Sequence, residues 1–354
     1  MAGEEPNERA PDGIDAGAVE AWFAENVDGA EPPLAFERIS GGRSNLTYGV
    51  ADAVGHRWAL RRPPLGKRLA SAHDMAREHR IISALQGTAV PVPPVVGLCE
   101  DEDVNGAPFY VMGFVAGPVL RSQRDATEAF DPGQRRAIGE RLADTLADIH
   151  AVDPDEVGLG DLAKKEEYVA RQLRRWYGQW EQSKTRELAL VDDVHERLSA
   201  RIPEQGPATL VHGDYRLDNV ILDGESGEIA AVLDWELCTL GDPLADVGLL
   251  MVYWSELGDD LIPLFDPPTT APGFPRRDEL RDRYAERSGR DLSQLDYYRA
   301  LGCWKLAIIL EGVLARHSAG QYGRAGEADG GLREFARVVE RLAEGADEAE
   351  RSLP

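Results

Sequence analysis

Cysteine is scarce in this 354-residue chain: Cys99, Cys238 and Cys303 lie far apart and show no metal-ligand spacing. That excludes a disulfide-stapled scaffold and a thiolate zinc site, and it leaves buried free thiols in a reduced compartment as the expectation. Long apolar runs are missing as well. Nowhere do about 18 uncharged apolar residues follow one another, so no membrane span is expected. The N-terminal MAGEEPNERAPDGID has neither the basic start nor the apolar stretch of a secretory signal, and a cytoplasmic location is expected. Positive charge is also short. The 39 Lys and Arg residues face 63 Asp and Glu, for a formal net charge of −24. Nucleic-acid binding needs basic stripes, so no nucleic-acid partner is expected. The acidity keeps the chain soluble and can steer a cationic ligand.

The length is too great for one small core and suggests two lobes. Residues 1–15 read as a disordered tail, 16–115 as an N-lobe and 116–354 as a C-lobe. Within the N-lobe, apolar spacing predicts a short helix at 17–27 and strand character over 34–62, broken by a glycine turn. It also predicts a helix from Ala72 to Gln86 and strands at Val95–Cys99 and Phe109–Val115, with EDEDVNGAP as a hairpin-like turn between them. After that the pattern turns helical. Ile138, Leu142, Leu146 and Ile149 mark a helix over Gly133–His150, and another is expected over Lys165–Trp180. Short strands are expected at Thr209–Val211, Val220–Leu222 and Ile229–Leu233, and the last residues, from Glu344, are expected to fray. The fold class is α+β, with a β-rich N-lobe and an α-rich C-lobe in the bilobal layout of a protein kinase.

The most informative stretch is LVHGDYRLDNVILD, residues 210–223, followed by AAVLDWE, residues 230–236. Phosphoryl transfer needs a carboxylate to orient and deprotonate an alcohol, and oxygen ligands to hold magnesium on the phosphates. Asp214 is the candidate base. Asn219, five positions later, and Asp234, at the end of the next apolar run, are the candidate Mg2+ ligands. The Asp-to-Asn spacing is that of the kinase catalytic loop. An Asp/Asn turn with only local hydrogen bonds is the plainer reading of Asp214 and Asn219 taken alone. His212 reads as a brace for the loop.

HGDYRLDN, VLDWE and LGDPLADVG resemble the aminoglycoside phosphotransferase and choline-kinase-like superfamily. More narrowly, SGGRSNLTY, SAHDMAREHR, APFYVMGFVAG and RQLRRWYGQW resemble its acyl-CoA-dehydrogenase-associated branch, over roughly Ile39 to Arg316. The resemblance implies a small-molecule kinase that uses ATP and Mg2+, with Asp214 as base and Asn219 and Asp234 on the metal. It also implies Asp246 as a buried carboxylate bracing the catalytic loop. Glu236 and Asp242 stay open between structural roles and contact with a metal-bound water.

In ISGGRSNLTY, Gly41, Gly42, Ser44 and Asn45 form a turn whose backbone N–H groups can approach phosphates. A plain hairpin turn has the same composition. In WALRRPP, strand alternation puts Ala59 and Arg61 on one face and Leu60 and Arg62 on the other. Arg61 stands where kinases usually carry Lys, a departure from the wider superfamily, and Glu78 on the following helix is its expected ion-pair partner. Met112 and Phe114 mark the segment whose peptide groups can bond adenine; a core strand reads the same way. For the acceptor alcohol, Arg175, Trp176 and Trp180 on RQLRRWYGQW and Lys305 in GCWKLAIIL are candidates. A half-buried aromatic anchor with solvated arginines, and a Lys305 that snorkels, are the plainer alternatives.

The expected function is phosphorylation of a hydroxyl group on a small molecule, with a hydroxyacyl-CoA as preferred class and an aminoglycoside or other aminoalcohol next. A non-catalytic nucleotide-binding module is the alternative that Arg61 raises. A flavin dehydrogenase activity lacks a domain of the needed size in this sequence.

Overall fold

The computed structural model describes residues 10–39, 45–65, 74–259, 266–318 and 329–353. Residues 1–9 of the expected tail, and Gly41, Gly42 and Ser44 of the glycine turn, lie outside the described residues. The chain divides into two compact units, one comprising 1–116 with 231–236 and the other 117–230 with 237–354.

The first unit carries a five-stranded antiparallel sheet. Its strands are β1 (Ala35–Ile39), β2 (Leu46–Ala51), β3 (Arg57–Arg62), β4 (Val95–Cys99) and β5 (Phe109–Gly113), in the order β1-β2-β3-β5-β4. Strand alternation sorts β3 cleanly. Trp58 and Leu60 join Val19 and Phe23 of α1 (Ala16–Asn26), together with Tyr48, Val50, Phe109 and Val111, in one apolar cluster. Burying a ring such as Phe23 contributes about 2 kcal/mol. Arg62 shares the α1 face, where it donates to the carbonyls of Gly13 and Asn105. Residues 10–15 are therefore not loose, contrary to the tail expectation. Asp15 caps α1 by accepting from the Ala18 N–H, and the Tyr48 hydroxyl donates to the Asp12 carbonyl at 2.6 Å.

On the far side of β3, Arg61 faces α2 (Met75–Leu85). Asp74 caps this helix by accepting from the Arg77 N–H. Met75, Glu78, Ile82 and Leu85 lie on one helical face, and all are buried. A carboxylate in the middle of an apolar stripe needs a partner. The EDEDVNGAP segment is not a simple turn: it holds a one-turn helix α3 (Glu102–Asn105). Asp101 caps it by accepting from the Asp103 N–H, and Gly106 ends it at φ 67°. Those local side-chain and glycine signals outweigh the hairpin reading, while β4 and β5 still pair antiparallel.

The second unit is mostly helical: α4 (Gln123–Ala129), α5 (Pro132–Ala151), α6 (Tyr168–Ser183), α7 (Ala189–Ala200), α8 (Leu244–Tyr253), α9 (Arg277–Ser288), α10 (Leu295–Ser318) and α11 (Asp329–Arg351). Four short strands accompany them: β6 (Thr209–Val211), β7 (Val220–Leu222), β8 (Ile229–Val232), whose last two residues belong to the first unit, and β9 (Thr239–Gly241). Asp131 and Gln134 form a reciprocal capping box on α5, and Ile138, Leu142, Leu146 and Ile149 are all buried. β6 pairs antiparallel with β9, which fixes the chain on either side of the 212–238 segment. α8 packs closely on α10: a Cβ on Gly248 would lie 2.5 Å from the Tyr298 backbone. The C-terminus does not fray from Glu344. Helix α11 continues to Arg351, because Arg197 of α7 pairs with both Asp347 and the buried Glu350, the latter at 2.8 Å. Among the described residues no helix is long and apolar enough to cross a membrane.

Candidate active site

In the first unit, β3 and α2 bring together Arg61 and Glu78, and the returning segment adds Asp234. That segment is anchored where the Val232 N–H donates to the Pro91 carbonyl at 2.8 Å and the Trp235 indole N–H to the Val232 carbonyl at 3.0 Å. Asp234 sits at φ 64°, a left-handed conformation that Asp tolerates better than most residues. The Arg61 guanidinium uses two edges. Nε donates to Glu78 Oε2 at 3.1 Å, and Nη2 donates to Asp234 Oδ1 at 2.5 Å. Burial alone would lower the guanidinium's pKa; Glu78 first, with Tyr110 and Asp234 behind it, raises it instead. Burial likewise raises the Glu78 carboxyl, and Arg61 opposes that rise. Asn45 is fully buried, and its Nδ2 donates to Glu236 Oε2 at 3.1 Å. Glu236 thus holds the start of β2. On β5, Met112 is buried, and the half-buried Phe114 ring lies 3.8 Å beneath the Arg57 guanidinium. The N–H groups of Gly113 and Phe114 already donate to the Pro94 and Arg57 carbonyls.

In the second unit, the catalytic-loop motif follows β6. Gly213 adopts φ 87°, and a Cβ there would meet Leu237 at 2.9 Å, so the tight turn requires glycine. Asp246, in the first turn of α8, accepts the His212 N–H on Oδ2 at 2.6 Å and the Gly213 N–H on Oδ1 at 2.8 Å. His150 of α5 reaches the same carboxylate at 3.3 Å, and its other ring nitrogen bonds the Tyr284 hydroxyl at 2.8 Å. Burial would raise the Asp246 carboxyl, but His150 and the loop N–H groups outweigh it and hold it below the usual range. Burial lowers the His150 imidazole's pKa. His212 is buried and accepts the Asp214 N–H on its ring at 3.3 Å, as a brace would.

The Asp214 carboxylate is held on both oxygens. Oδ1 accepts from the Tyr253 hydroxyl at 3.0 Å, and Oδ2 accepts from Asn219 Nδ2 at 3.0 Å. The same Nδ2 donates to the Asp214 carbonyl at 2.7 Å. Arg216 Nε lies 3.6 Å from Oδ2, and its guanidinium stacks 4.8 Å above the Tyr253 ring. Lys305 of α10 donates to the Gly213 carbonyl at 2.9 Å, with its Nζ 5.4 Å from the Trp176 ring centre. Burial lowers the Lys305 ammonium, while Asp214 and Asp246 pull it back. A small cavity lies here, lined by Trp176, Gln172, Tyr168, Gly213, Asp246 and Lys305 among others. Arg175 is exposed, with its guanidinium over the Trp176 ring at 5.2 Å. Trp180 does not line this cavity. It is fully buried, and its indole N–H donates to Asp192 of α7 at 3.2 Å. Asp242 accepts from the Tyr298 hydroxyl and the Leu244 N–H, which makes it a start-of-helix brace for α8.

Tyr253, His150 and Arg216 escaped the sequence reading. Tyr253 carried a signal, since it follows Asp246 by seven residues and so returns to the same helical face. His150 and Arg216 carried none that separated them from ordinary helix and loop residues.

The phosphotransferase enzyme family pattern matches residues 35–301. The chain belongs to that family. Mouse acyl-CoA dehydrogenase family member 10 is 34% identical over 315 residues, which is 88% of this chain and 29% of that protein. The chain therefore spans under a third of that relative's length. A crystal structure of a proposed aminoglycoside phosphotransferase from Ralstonia eutropha superposes with a TM-score of 0.81 at 32% identity, covering 96% of this chain and 99% of that one. The spectinomycin phosphotransferase crystallised with ADP and spectinomycin superposes with a TM-score of 0.58 at 14% identity, over 96% of this chain and 99% of that one. That second likeness shows the kinase-like α+β fold alone.

Proposed function

We propose that this phosphotransferase uses ATP with Mg2+ to phosphorylate a hydroxyl group of a small molecule, with Asp214 as the general base. The observation that carries this reading is the Asp214 carboxylate, fixed on one oxygen by Asn219 and on the other by Tyr253. A base held in this way is oriented before the acceptor arrives. Arg61, paired to Glu78, is the cation for the nucleotide phosphates, through a planar fork rather than a point charge.

Asn219 and Asp234 fit a magnesium ion by the chemistry of their donors. One amide oxygen and one carboxylate suit an ion that takes few protein oxygens and completes its shell with water and phosphate. No group of three or more His, Cys, Asp or Glu side chains forms a self-sufficient metal site among the described residues. When bound, the ion offsets the phosphate charge. The chain's own residues orient the acceptor, receive its proton at Asp214 and hold the nucleotide.

For the acceptor, the cations beside Asp214 favour an acidic or acyl compound, with a hydroxyacyl-CoA as preferred class. Lys305 donates to the Gly213 carbonyl and lies near the Trp176 ring, and the exposed Arg175 lies over the same ring. A cation-and-ring lining suits an anionic or acyl group better than the ammonium groups of an aminoglycoside. The test is ATP consumption with Mg2+ against hydroxyacyl-CoA thioesters and aminoglycosides in one screen. Turnover with a thioester is the expected result. Turnover only with an aminoglycoside overturns the acceptor class, and binding of ATP with no transfer to any acceptor supports a non-catalytic module.

A further inference from the structure

Helix α8 touches the catalytic loop at two places. Its first turn supplies Asp246, which grips the backbone of His212 and Gly213. Its last residue, Tyr253, lies seven residues on and two turns along the same face, about 10.5 Å by helical rise. There the Tyr253 hydroxyl donates to Asp214 Oδ1 at 3.0 Å. The ring is 9% exposed, and Arg216 lies over it at 4.8 Å while also approaching the other carboxylate oxygen. The carboxylate is thus pinned from two directions, with Asn219 on Oδ2 and Tyr253 on Oδ1. Asn219 is five residues from Asp214 in the same loop and moves with it. Tyr253 belongs to a rigid helix packed on α10, so it ties the carboxylate to the core rather than to the loop.

We propose that Tyr253 is a positioning residue for Asp214, setting the angle at which its carboxylate meets the acceptor hydroxyl. The role rests on reading Asp214 as the base. Removing the hydroxyl takes away the donor on Oδ1 and leaves Asn219 and Arg216 on the Oδ2 side, so the carboxylate loses the contact that opposes rotation about its Cβ–Cγ bond. Near-attack geometry is lost while Arg61 and Glu78, the pair assigned to the nucleotide phosphates, keep their contacts.

The test uses the full chain in a cycle of Tyr253→Phe, Asp214→Ala and the double variant. Phe keeps the ring, its burial and its stacking, so the fold survives. Turnover is followed with the acceptor identified by the screen or, without one, as phosphate release from ATP–Mg2+ into water. Tyr253→Phe is expected to lower kcat about tenfold with the KM for ATP unchanged, because a hydrogen bond to a charged group is worth about that much. In the Asp214→Ala background it is expected to lower kcat no further. Urea unfolding of the same four proteins is expected to be non-additive, since the two side chains share one bond. Wild-type kcat in Tyr253→Phe, together with an inactive Asp214→Ala, overturns the positioning role and leaves the base intact. Normal turnover in Asp214→Ala removes the base, and the role of Tyr253 falls with it. Additive unfolding energies overturn the contact itself.

Discussion

Arg61 holds Asp234: its Nη2 donates to Asp234 Oδ1 at 2.5 Å, while its Nε stays on Glu78. One guanidinium joins a helix carboxylate that is 2% exposed to a carboxylate that is 27% exposed. A lysine ammonium on the same strand has no second edge with which to hold both partners in fixed directions. Arg61→Lys should therefore keep the Glu78 pair, retain much of the ATP affinity and loosen Asp234. Arg61→Ala should weaken ATP binding and also destabilise the fold by about 3 kcal/mol, since it leaves Glu78 buried without its cation. Arg62 is the control. It bonds the Gly13 and Asn105 carbonyls on the opposite face of β3, so Arg62→Ala should cost stability and change ATP affinity less. Calorimetric ATP titration of the three variants orders them. Loss of ATP affinity in Arg62→Ala with retention in Arg61→Ala would move the phosphate cation to Arg62.

Asp214→Ala should lower kcat by roughly 10²–10⁴-fold, the usual contribution of a general base. Nucleotide affinity should stay close to wild type, because the hydrogen bonds of Asp214 among the described residues run to Tyr253, Asn219 and His212. Steady-state kinetics at saturating ATP, paired with a direct ATP-binding measurement, separates the two effects. A variant with near wild-type turnover would falsify the assignment of the base.

The fold class was legible because period-2 and period-3.6 patterns change over near residue 116, and because strand and helix spacing survive in β3, α2 and α5. Sequence alternation placed Arg61 and Arg62 on opposite faces of β3, as their partners Glu78 and Gly13 require. Other features were set by tertiary partners that spacing does not reveal. Glu344 onward looks like a loose polar end until Arg197, about 150 residues earlier, supplies its ion pairs. Residues 10–15 look like a tail until Tyr48 and Arg62 take their carbonyls as acceptors. Trp180 and Trp176 look equivalent along the helix, yet one turn of separation puts Trp180 on Asp192 and Trp176 at the cavity. The Tyr253 contact depends on where α8 ends relative to the loop, which the sequence states only as a seven-residue interval.

Asn219→Ala and Asp234→Ala should each raise the magnesium concentration needed for half-maximal activity and weaken productive ATP binding. The two variants should differ in a second property. Asn219→Ala also removes a donor to Asp214, so its kcat should remain low even at saturating magnesium. Asp234→Ala releases Arg61 from one partner, so excess metal should recover less of its nucleotide affinity than of its structure. Activity titrated against magnesium at fixed ATP checks both. An unchanged metal dependence in Asp234→Ala is incompatible with the proposed ligand.

The Asp246–His150 pair should make the second unit acid-sensitive. Asp246 is held below its ordinary value of 3.8 in the folded state, against the pull of burial, by His150 and by the loop N–H groups. A carboxyl depressed on folding stabilises the protein above its unfolded value, and that stability is lost as pH falls through the folded value. His150 is lowered from 6.5 by burial, so folding favours its neutral form. Its contribution is complete above 6.5 and shrinks as pH falls toward the folded value, because the unfolded chain then binds the proton first. Both groups act in the same direction in separate windows, one opening just below 6.5 and the other below about 4. Replacing His150 by Gln keeps a polar side chain without titration, so His150→Gln should flatten the Tm loss between pH 7 and 5 and also shrink the loss below 4, because His150 is the first of the groups that hold Asp246 low. Asp246→Asn should remove that lower loss and cost about 3 kcal/mol at pH 7, because the amide offers one oxygen to the buried N–H groups of His212 and Gly213 and sets its NH2 against the other. Thermal unfolding of the three proteins across pH 3.5 to 8 measures both windows. An upper slope that survives in His150→Gln assigns the loss to a different group.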